Sequence, residues 1–293
     1  MEEIEEPIGA EAAEAEALPA PAVEETSETV APDLPSSPGA DDWPDLTPGT
    51  VQVLGPYAVP GLGARRIRIY LPAAFDPAVP WFGLYLFDGQ NAFDDGPSFA
   101  GGWHTHVAIE RLARAGKMTP IAIGIDHGGV ERIHELSPFP IQGNEGGLDP
   151  LLDWIFGSLR PALEERLPLV PGPAGAAVAG SSMGGLAAVY AHFRRPEEIG
   201  GAIAMSPSLW VADGEILDWV ADQPRPPFSR VYLDAGLAEG RGTLLPLVAQ
   251  LAAHLANRGY RDDQLRFLAD PKGLHNEKCW RRRLPAALRF LYR

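Results

Sequence analysis

The chain of 293 residues can form one large domain or two small ones, and its apolar fraction of 45% is ordinary for a globular protein. Its net charge of −15 comes almost entirely from the first 45 residues, which hold fourteen acidic and no basic side chains. The rest has no excess of basic charge of the kind that binds nucleic acid or anionic membranes, so we expect neither partner.

The first 45 residues consist mainly of Glu, Ala, Pro, Ser and Thr, with Trp43 as their only aromatic residue. Such a segment has too little apolar surface to offset the entropy lost on ordering. We therefore predict a disordered acidic tail over residues 1–45 and one folded domain over residues 46–293. We expect the tail to be a solvated extension rather than a docking segment, and its removal to leave stability unchanged.

The cellular location is predicted from the single cysteine and from two missing patterns. Cys279 cannot form an intramolecular disulfide and has no partners at metal-ligand spacing. The sequence has neither the features of a secretory signal nor an apolar run long enough to span a membrane. These features favour a cytoplasmic protein.

Beyond residue 50, short β-branched or aromatic runs alternate with amphipathic stretches, which is typical of βα units. The pattern predicts an α/β fold with a mostly parallel, eight-stranded sheet and helices on both faces. A hairpin-like link at residues 60–63 predicts that the sheet opens with an antiparallel pair. The predicted strands are 51–59, 66–71, 81–87, 121–125, 175–179, 201–205, 230–233 and 264–268. The predicted helices are 105–115, 150–166, 186–195, 215–221, 245–257 and 282–292.

The segment 180–184 reads G-S-S-M-G and matches the G-x-S-x-G pattern of a nucleophilic serine on a tight turn. It follows an apolar strand and precedes a helix, which is the context that the pattern requires. Ser182 is therefore the predicted nucleophile. The same turn puts the backbone N–H of Met183 at a helix N-terminus, where it can stabilise a developing oxyanion.

A serine hydroxyl needs a base to take its proton, and in this arrangement the base follows the nucleophile in the chain. His254 lies inside the helical pattern 245–257, where an ordinary helix-surface histidine is expected. His275 lies in the loop between the last strand and the last helix. His275 is therefore the predicted base.

The acid that orients this base is sought after the strand at residues 230–233. Asp234 ends the strand, whereas Glu239 lies in the loop beyond Gly236, a residue that lets the chain turn. Glu239 is the better candidate because it can reach the imidazole from a loop above the sheet edge. Asp234 stays open as the alternative, and Asp262 or Asp263 as a more distant one.

The second oxyanion donor is expected in the loop after the third strand, where Gly89 allows a substrate to approach the backbone. The N–H of Gln90 is the candidate. His127-Gly-Gly is similar to a lipase oxyanion motif, but it follows the next strand and is expected to form a turn.

Trp210 follows a predicted strand end, on the side where ligands bind in open α/β sheets. It is a candidate substrate-binding residue, with plain packing as the equal alternative.

Two other polar groups are assigned no chemistry. His104 and His106, with Asp94 and Asp95, match no recognised metal-site spacing, so no metal is predicted. The run Arg281–Arg283 beside the last helix is predicted to be a solvated face rather than an anion site.

These motifs together resemble the putative esterase family of α/β-hydrolases, which includes enterochelin-esterase-like enzymes, feruloyl and acetylxylan esterases and the mycolyltransferases. The resemblance covers about residues 50–293 and implies the α/β-hydrolase fold. It also implies a triad of Ser182, an acid near Glu239, and His275, with an oxyanion hole formed by Gln90 and Met183 and no cofactor. The motifs that carry it are Y-L-F-D-G-Q-N-A-F at 85–93, S-F-A-G-G-W at 98–103, R-I-H-E-L-S-P at 132–138, G-S-S-M-G-G at 180–185, S-P-S-L-W at 206–210, and His275 followed by Trp280.

The predicted function is hydrolysis of small-molecule carboxylic esters through an acyl-enzyme on Ser182. An acyltransferase with the same triad is one alternative, since only the group that attacks the acyl-enzyme differs. A catalytically silent binding protein on the same scaffold is the other, and the presence of serine, acid and histidine in order argues against it.

Overall fold

The computed structural model of the chain describes residues 34–39, 43–98 and 100–293, and its centre is one eight-stranded sheet. The order across the sheet is β1-β2-β4-β3-β5-β6-β7-β8. β2 pairs antiparallel with both β1 and β4, and all other pairs are parallel. The predicted antiparallel opening and mostly parallel sheet are confirmed, and the β2–β4 pair adds a second antiparallel pairing. The strands are β1 (Val51–Val59), β2 (Gly63–Tyr70), β3 (Phe82–Phe87), β4 (Pro120–Ile125), β5 (Ala176–Ser181), β6 (Gly201–Met205), β7 (Arg230–Gly236) and β8 (Leu265–Asp270).

The central strands β3 to β7 are almost completely buried, which is why they read as continuous apolar runs. Successive side chains of a strand point to opposite faces of the sheet. Leu84 and Leu86 of β3 accordingly belong to one hydrophobic cluster, and Tyr85 and Phe87 to the other. The sheet therefore has an apolar core on each face.

Helices cover both faces of the sheet, as predicted. α2 and α9 pack on the face of Leu84 and Leu86, whereas α4 to α8 pack on the opposite face. A single π-helical segment at Ile155–Leu159 joins α4 to α5, so the predicted helix 150–166 is one helical stretch with an irregular centre. The helices are α1 (Gly89–Ala92), α2 (Thr105–Arg114), α3 (Arg132–Glu135), α4 (Leu148–Trp154), α5 (Arg160–Glu164), α6 (Met183–Arg194), α7 (Glu215–Asp222), α8 (Leu244–Asn257) and α9 (Glu277–Leu291).

The main difference from the predicted helices lies at the start of α9. This helix begins at Glu277, five residues before the predicted start at Arg282. Asn276 caps it, because its side-chain Oδ1 accepts a hydrogen bond from the N–H of Cys279 at 3.0 Å. The added first turn brings the helix next to His275.

The described segment 34–39, which precedes the predicted domain boundary at residue 46, contacts the domain. The carbonyl of Pro35 accepts a hydrogen bond from the N–H of Ala58 at 2.8 Å, and that of Ser36 accepts one from Trp154 Nε1. The predicted tail at residues 1–33 and 40–42 lies outside the described residues. Among the helices of the described part, none has the length and apolar character needed to cross a membrane.

Candidate active site

The predicted site residues lie at the carboxyl edge of the parallel strands. β3, β5, β6, β7 and β8 are consecutive neighbours, and each is followed by a loop that leaves the sheet at this edge. Gln90, Ser182, Ser206, Glu239 and His275 occur in these loops, in that order across the sheet. Ligands of open α/β sheets bind in the crevice outside these ends.

Ser182 occupies the turn between β5 and α6 with φ 54° and ψ −122°. Such a left-handed backbone is strained for a residue with a side chain. The surrounding glycines allow the turn: a Cβ on Gly180 would lie 2.2 Å from the carbonyl oxygen of Gly184, and one on Gly185 would lie 2.9 Å from Pro207 Cα. The spacing of the motif thus reflects backbone contacts that leave no room for side chains.

Three predicted residues form a continuous chain of hydrogen bonds. Ser182 Oγ lies 2.9 Å from His275 Nε2, and His275 Nδ1 lies 2.9 Å from Glu239 Oε2. The Glu239 side chain is fully buried, whereas the imidazole of His275 is 27% exposed. This geometry allows a proton to move between the serine and the imidazole while the carboxylate fixes the ring.

The competing candidates have other partners or positions. Asp234 is fully buried and forms an ion pair with Arg283 at 3.1 Å, and its Oδ1 accepts a hydrogen bond from the N–H of Ser206 at 3.2 Å. Asp262 and Asp263 are not in the site, and Asp263 pairs with a nearby arginine on the surface. His254 lies within α8, as the sequence predicts.

The second oxygen of the Glu239 carboxylate has its own partners. Oε1 accepts hydrogen bonds from the N–H of Gly236 at 2.8 Å and from Ser206 Oγ at 3.0 Å. Burial would raise the pKa of Glu239, but the hydrogen bonds from His275 and Ser206 and the charge of Arg283 outweigh it. The pKa of Glu239 therefore lies below its usual value, and the group is ionised at neutral pH.

The predicted solvated face at Arg281–Arg283 is wrong for one of its three members. Arg281 and Arg282 are 35% and 50% exposed, whereas Arg283 is only 2% exposed in its side chain and lies behind the triad acid. The helical spacing explains this, because Trp280, Arg283 and Leu284 share the buried face of α9.

The two predicted oxyanion donors lie in adjacent loops. Met183 is the first residue of α6, where helical N–H groups have no intrahelical acceptor. Gln90 lies in the single turn α1 directly after β3. The two segments lie close together. A Cβ atom added to Gly184, the residue after Met183, would lie 3.1 Å from Oδ2 of Asp88, which precedes the turn that carries Gln90. His127 donates its backbone N–H to Gln90 Oε1 at 3.2 Å, so the segment predicted to be only a turn borders this site.

Sequence reasoning missed two contacts of the site. Arg132 forms two hydrogen bonds with the Asp88 carboxylate, at 2.6 and 2.8 Å, and thereby ties α3 to the loop that carries Gln90. Ser208 Oγ lies 3.3 Å from Ser182 Oγ. Trp210, the predicted substrate-binding residue, lies two residues further on and is 54% exposed.

The group considered for metal binding has other partners. His104 Nε2 lies 2.9 Å from Asp95 Oδ1 and 3.0 Å from the guanidinium of Arg281. Within residues 34–39, 43–98 and 100–293, no cluster of three or more His, Cys, Asp or Glu side chains is arranged to hold a metal ion.

The mostly parallel eight-stranded sheet, with a serine turn between β5 and α6, is the α/β-hydrolase fold. Residues 63–291 match the model of the family described as putative esterase, and the chain belongs to that family. It is accordingly a carboxylic ester hydrolase, and the family resemblance of its motifs is confirmed.

The chain is similar to several known proteins. The uncharacterized protein YbbA of Bacillus subtilis is 24% identical over 246 residues, which cover 78% of this chain and 93% of YbbA. The iron(III) salmochelin esterase of Escherichia coli is 26% identical over 235 residues, 74% of this chain but only 52% of that enzyme. The crystal structure of the BES protein from Bacillus cereus has the same fold, with a TM-score of 0.68, 19% identity, and coverage of 93% of this chain and 99% of that one.

Proposed function

We propose that the protein hydrolyses small-molecule carboxylic esters in two steps, with Ser182 as nucleophile, His275 as general base and acid, and Glu239 as the orienting carboxylate. In the first step His275 Nε2 takes the hydroxyl proton while Ser182 Oγ bonds to the ester carbonyl carbon. The carbonyl then re-forms and the bond to the alcohol oxygen breaks. The alcohol leaves with the proton from His275.

The second step releases the acid. Water loses a proton to His275 Nε2 and attacks the acyl carbon, and the bond to Ser182 Oγ then breaks as the serine recovers its proton. The observation that carries the proposal is the chain Ser182 Oγ, His275 Nε2, His275 Nδ1 and Glu239 Oε2, with 2.9 Å at both links. A carboxylate on Nδ1 favours the tautomer whose Nε2 can accept the serine proton.

We assign the oxyanion hole to the backbone N–H groups of Gln90 and Met183. Both steps pass through a tetrahedral intermediate whose oxygen carries a negative charge, and fixed N–H donors stabilise that charge. Support comes from the position of Met183 at the start of α6 and from the contact between the two loops. Loss of one such donor in other enzymes costs about 10²–10³ in kcat.

The substrate enters from the open side of the serine turn in this proposal, with the exposed indole of Trp210 as one wall. Siderophore esters belong in any substrate test, because the salmochelin esterase is named for one. This chain spans about half of that enzyme's length. The acyl and alcohol groups of its own substrate are therefore to be identified by the experiment below. The cytoplasmic location stays a prediction, based on the sequence.

A substrate screen tests the proposal. The wild type and Ser182→Ala are assayed side by side on p-nitrophenyl esters, feruloyl esters, acetylated sugars and siderophore esters. We expect at least one class to be hydrolysed by the wild type and not by the variant. Turnover that is equal in both would contradict the assignment. Added alcohol or sugar acceptors separate hydrolysis from acyl transfer, since a transferase would form a new ester.

A further inference from the structure

One arginine behind the triad lies among three carboxylates that come from different elements. The guanidinium of Arg283, on α9, lies 3.1 Å from Asp234 Oδ1 of β7 and 3.3 Å from Glu239 Oε1. Asp270 Oδ2, at the end of β8, lies 3.5 Å away. Arg283, Asp234 and Glu239 have almost no solvent exposure, so water cannot compensate their charges.

The same arginine also acts through a serine. Arg283 donates to Ser206 Oγ at 2.8 Å, and Trp280 Nε1 donates to the same oxygen at 3.0 Å. With both donors on its oxygen, the Ser206 hydroxyl proton goes to Glu239 Oε1 at 3.0 Å. Gly236, Ser206 and Arg283 therefore all donate to Oε1 of the Glu239 carboxylate, whereas Oε2 bonds to His275.

We propose that Arg283 is a positioning residue for the reaction: it keeps the Glu239 carboxylate ionised and holds its Oε2 toward His275. This inference rests on the proposed function of the triad. Arg283 contacts neither substrate nor the reacting atoms in this proposal, and its effect reaches Ser182 through Glu239 and His275. The planar fork of a guanidinium allows one side chain to bridge two carboxylates and a hydroxyl, which a single ammonium group cannot do equally well.

Charge balance gives the physical reason. Without Arg283, the carboxylates of Asp234 and Glu239 would be buried near each other with no compensating cation, and one would take up a proton. Burial already raises the pKa of Asp234 to about 7, although Arg283 lowers it. The other titratable groups facing the cluster are Tyr232, Asp270 and His275. The two carboxylates would share that proton, and whenever Glu239 carries it, Glu239 no longer stabilises the imidazolium that forms in each step.

The test measures kcat and KM against pH for Arg283→Met, with Arg282→Met as the matched control on the same helix. Arg282 is half exposed and, within the described part of the chain, pairs with Asp270 and a backbone carbonyl. We expect Arg283→Met to lower kcat about 100-fold, part of the roughly 10⁴-fold that loss of the acid itself costs. KM should stay within about threefold, and the acidic limb of kcat should move to higher pH because a proton must first leave the carboxylate pair.

A second substitution distinguishes positioning from a merely structural role. In Arg283→Met/Asp234→Asn one buried carboxylate is removed together with its cation, so Glu239 can ionise again. We expect this double variant to regain at least about tenfold in kcat over Arg283→Met. A folded Arg283→Met with the kcat and pH profile of the wild type would overturn the inference, and so would a folded double variant with no gain.

Two controls keep the outcome interpretable. If Arg283→Met does not fold, Arg283→Lys replaces it; a kcat equal to that of the wild type in this variant would likewise overturn the proposal, and a reduced kcat would support it. Ser182→Ala is assayed in parallel. Turnover that survives in Ser182→Ala contradicts the proposed function itself, whereas its loss with an unaffected Arg283→Met contradicts only the role of Arg283.

Discussion

The two edges of the parallel sheet are built from different backbone and side-chain chemistry. At the carboxyl edge, the residues directly after β3, β5 and β6 are Asp88, Ser182 and Ser206, and all three have positive φ. In the described chain, no residue other than glycine has a positive φ directly before β3, β5, β6, β7 or β8 at the amino edge. Strained backbone of this kind costs about 1–3 kcal/mol per residue.

Buried carboxylates follow the same division. Asp234 and Glu239 meet Arg283 at the carboxyl edge. At the amino edge the buried Arg160 donates to backbone carbonyls, and the neutral groups of His192, Ser229 and Tyr260 are hydrogen-bonded in series. Strain and buried carboxylates concentrated at one edge are expected of a catalytic site on a stable scaffold. Substitutions at the carboxyl edge should therefore affect turnover, and those at the amino edge should affect stability alone.

The largest expected effect is on turnover at the carboxyl edge. Ser182→Ala removes the nucleophile, and we expect kcat to fall by about 10⁶ without loss of fold. A fluorophosphonate probe should label the wild type and leave the variant unlabelled, with circular dichroism as the check on folding. Labelling of the folded variant would place the reactive group elsewhere.

The next effect distinguishes two carboxylates that are both buried at this edge. Glu239→Gln keeps the shape of the side chain but favours the wrong tautomer of His275, with a loss of up to about 10⁴ in kcat. Asp234→Asn removes a charge that does not contact the imidazole and should keep kcat within about tenfold of the wild type. Steady-state kinetics of both variants provide the test. Loss of turnover in Asp234→Asn with normal turnover in Glu239→Gln would reverse the assignment.

The sequence predicts the triad because its members occupy loops with strong local signals: a glycine-flanked serine, a loop histidine and a glutamate beyond a glycine. Arg283 has no such signal in its run of three arginines. Only the spacing of Trp280, Arg283 and Leu284 indicates that it lies on the apolar face of α9. Its carboxylate partners come from β7, β8 and the intervening loop, contacts that tertiary structure alone creates.

The fold is predictable to a similar extent. Strand types and the antiparallel opening follow from apolar alternation and the link at residues 60–63. The position of β4 between β2 and β3 cannot be read from the sequence. Any of the apolar strands could pair with β4 and bury its side chains equally well. The single turns α1 and α3 are too short for helical periodicity to reveal them.

A matched pair of glycines sharpens the comparison of the edges. A Cβ on Gly180, at the carboxyl edge, would lie 2.2 Å from a backbone oxygen, and one on Gly200, at the amino edge, would lie 2.3 Å from the carbonyl of Pro173. Each alanine variant should lose about 1–3 kcal/mol in free energy of unfolding. Gly180→Ala should also lower kcat, because it shifts Ser182. Gly200→Ala should retain the wild-type kcat per folded molecule. An equal loss of kcat in both variants would show that the two edges do not differ in their effect on turnover.

A buried histidine at the amino edge is expected to make the free energy of unfolding depend on pH without affecting the active site. Burial lowers the pKa of His192 to about 4, from 6.5 in the unfolded chain. As pH falls below 6.5, His192 binds a proton in the unfolded state but not in the folded state. The free energy of unfolding therefore falls until about pH 4. The loss is on the order of 3 kcal/mol.

Urea unfolding at several pH values measures this dependence. In His192→Gln, whose amide can still reach Ser229, the slope of unfolding free energy against pH should be smaller over this window. An identical slope in the wild type and the variant would show that His192 is not the group responsible.

The smallest effect concerns the N-terminal segment. Removal of residues 1–33 should leave the melting temperature unchanged, since their composition offers little to bury. Removal of residues 1–45 also deletes the hydrogen bonds of Pro35 and Ser36 and the packing of Trp43. We expect that shorter chain to melt a few degrees lower, at about 2–4 °C per kcal/mol lost. If the chain without residues 1–45 melts at the same temperature as the chain without residues 1–33, the domain begins at residue 46 as the sequence predicts.

The central claim is that an acyl group passes through Ser182, and the most direct measurement is the mass of the protein during turnover. The wild type is mixed with p-nitrophenyl acetate, quenched with acid before steady state, and analysed by intact mass and peptide mapping. We predict the mass of one added acetyl group on the peptide that contains Ser182, and none in Ser182→Ala. An acetyl group on another residue, or the same adduct in the variant, would contradict the account.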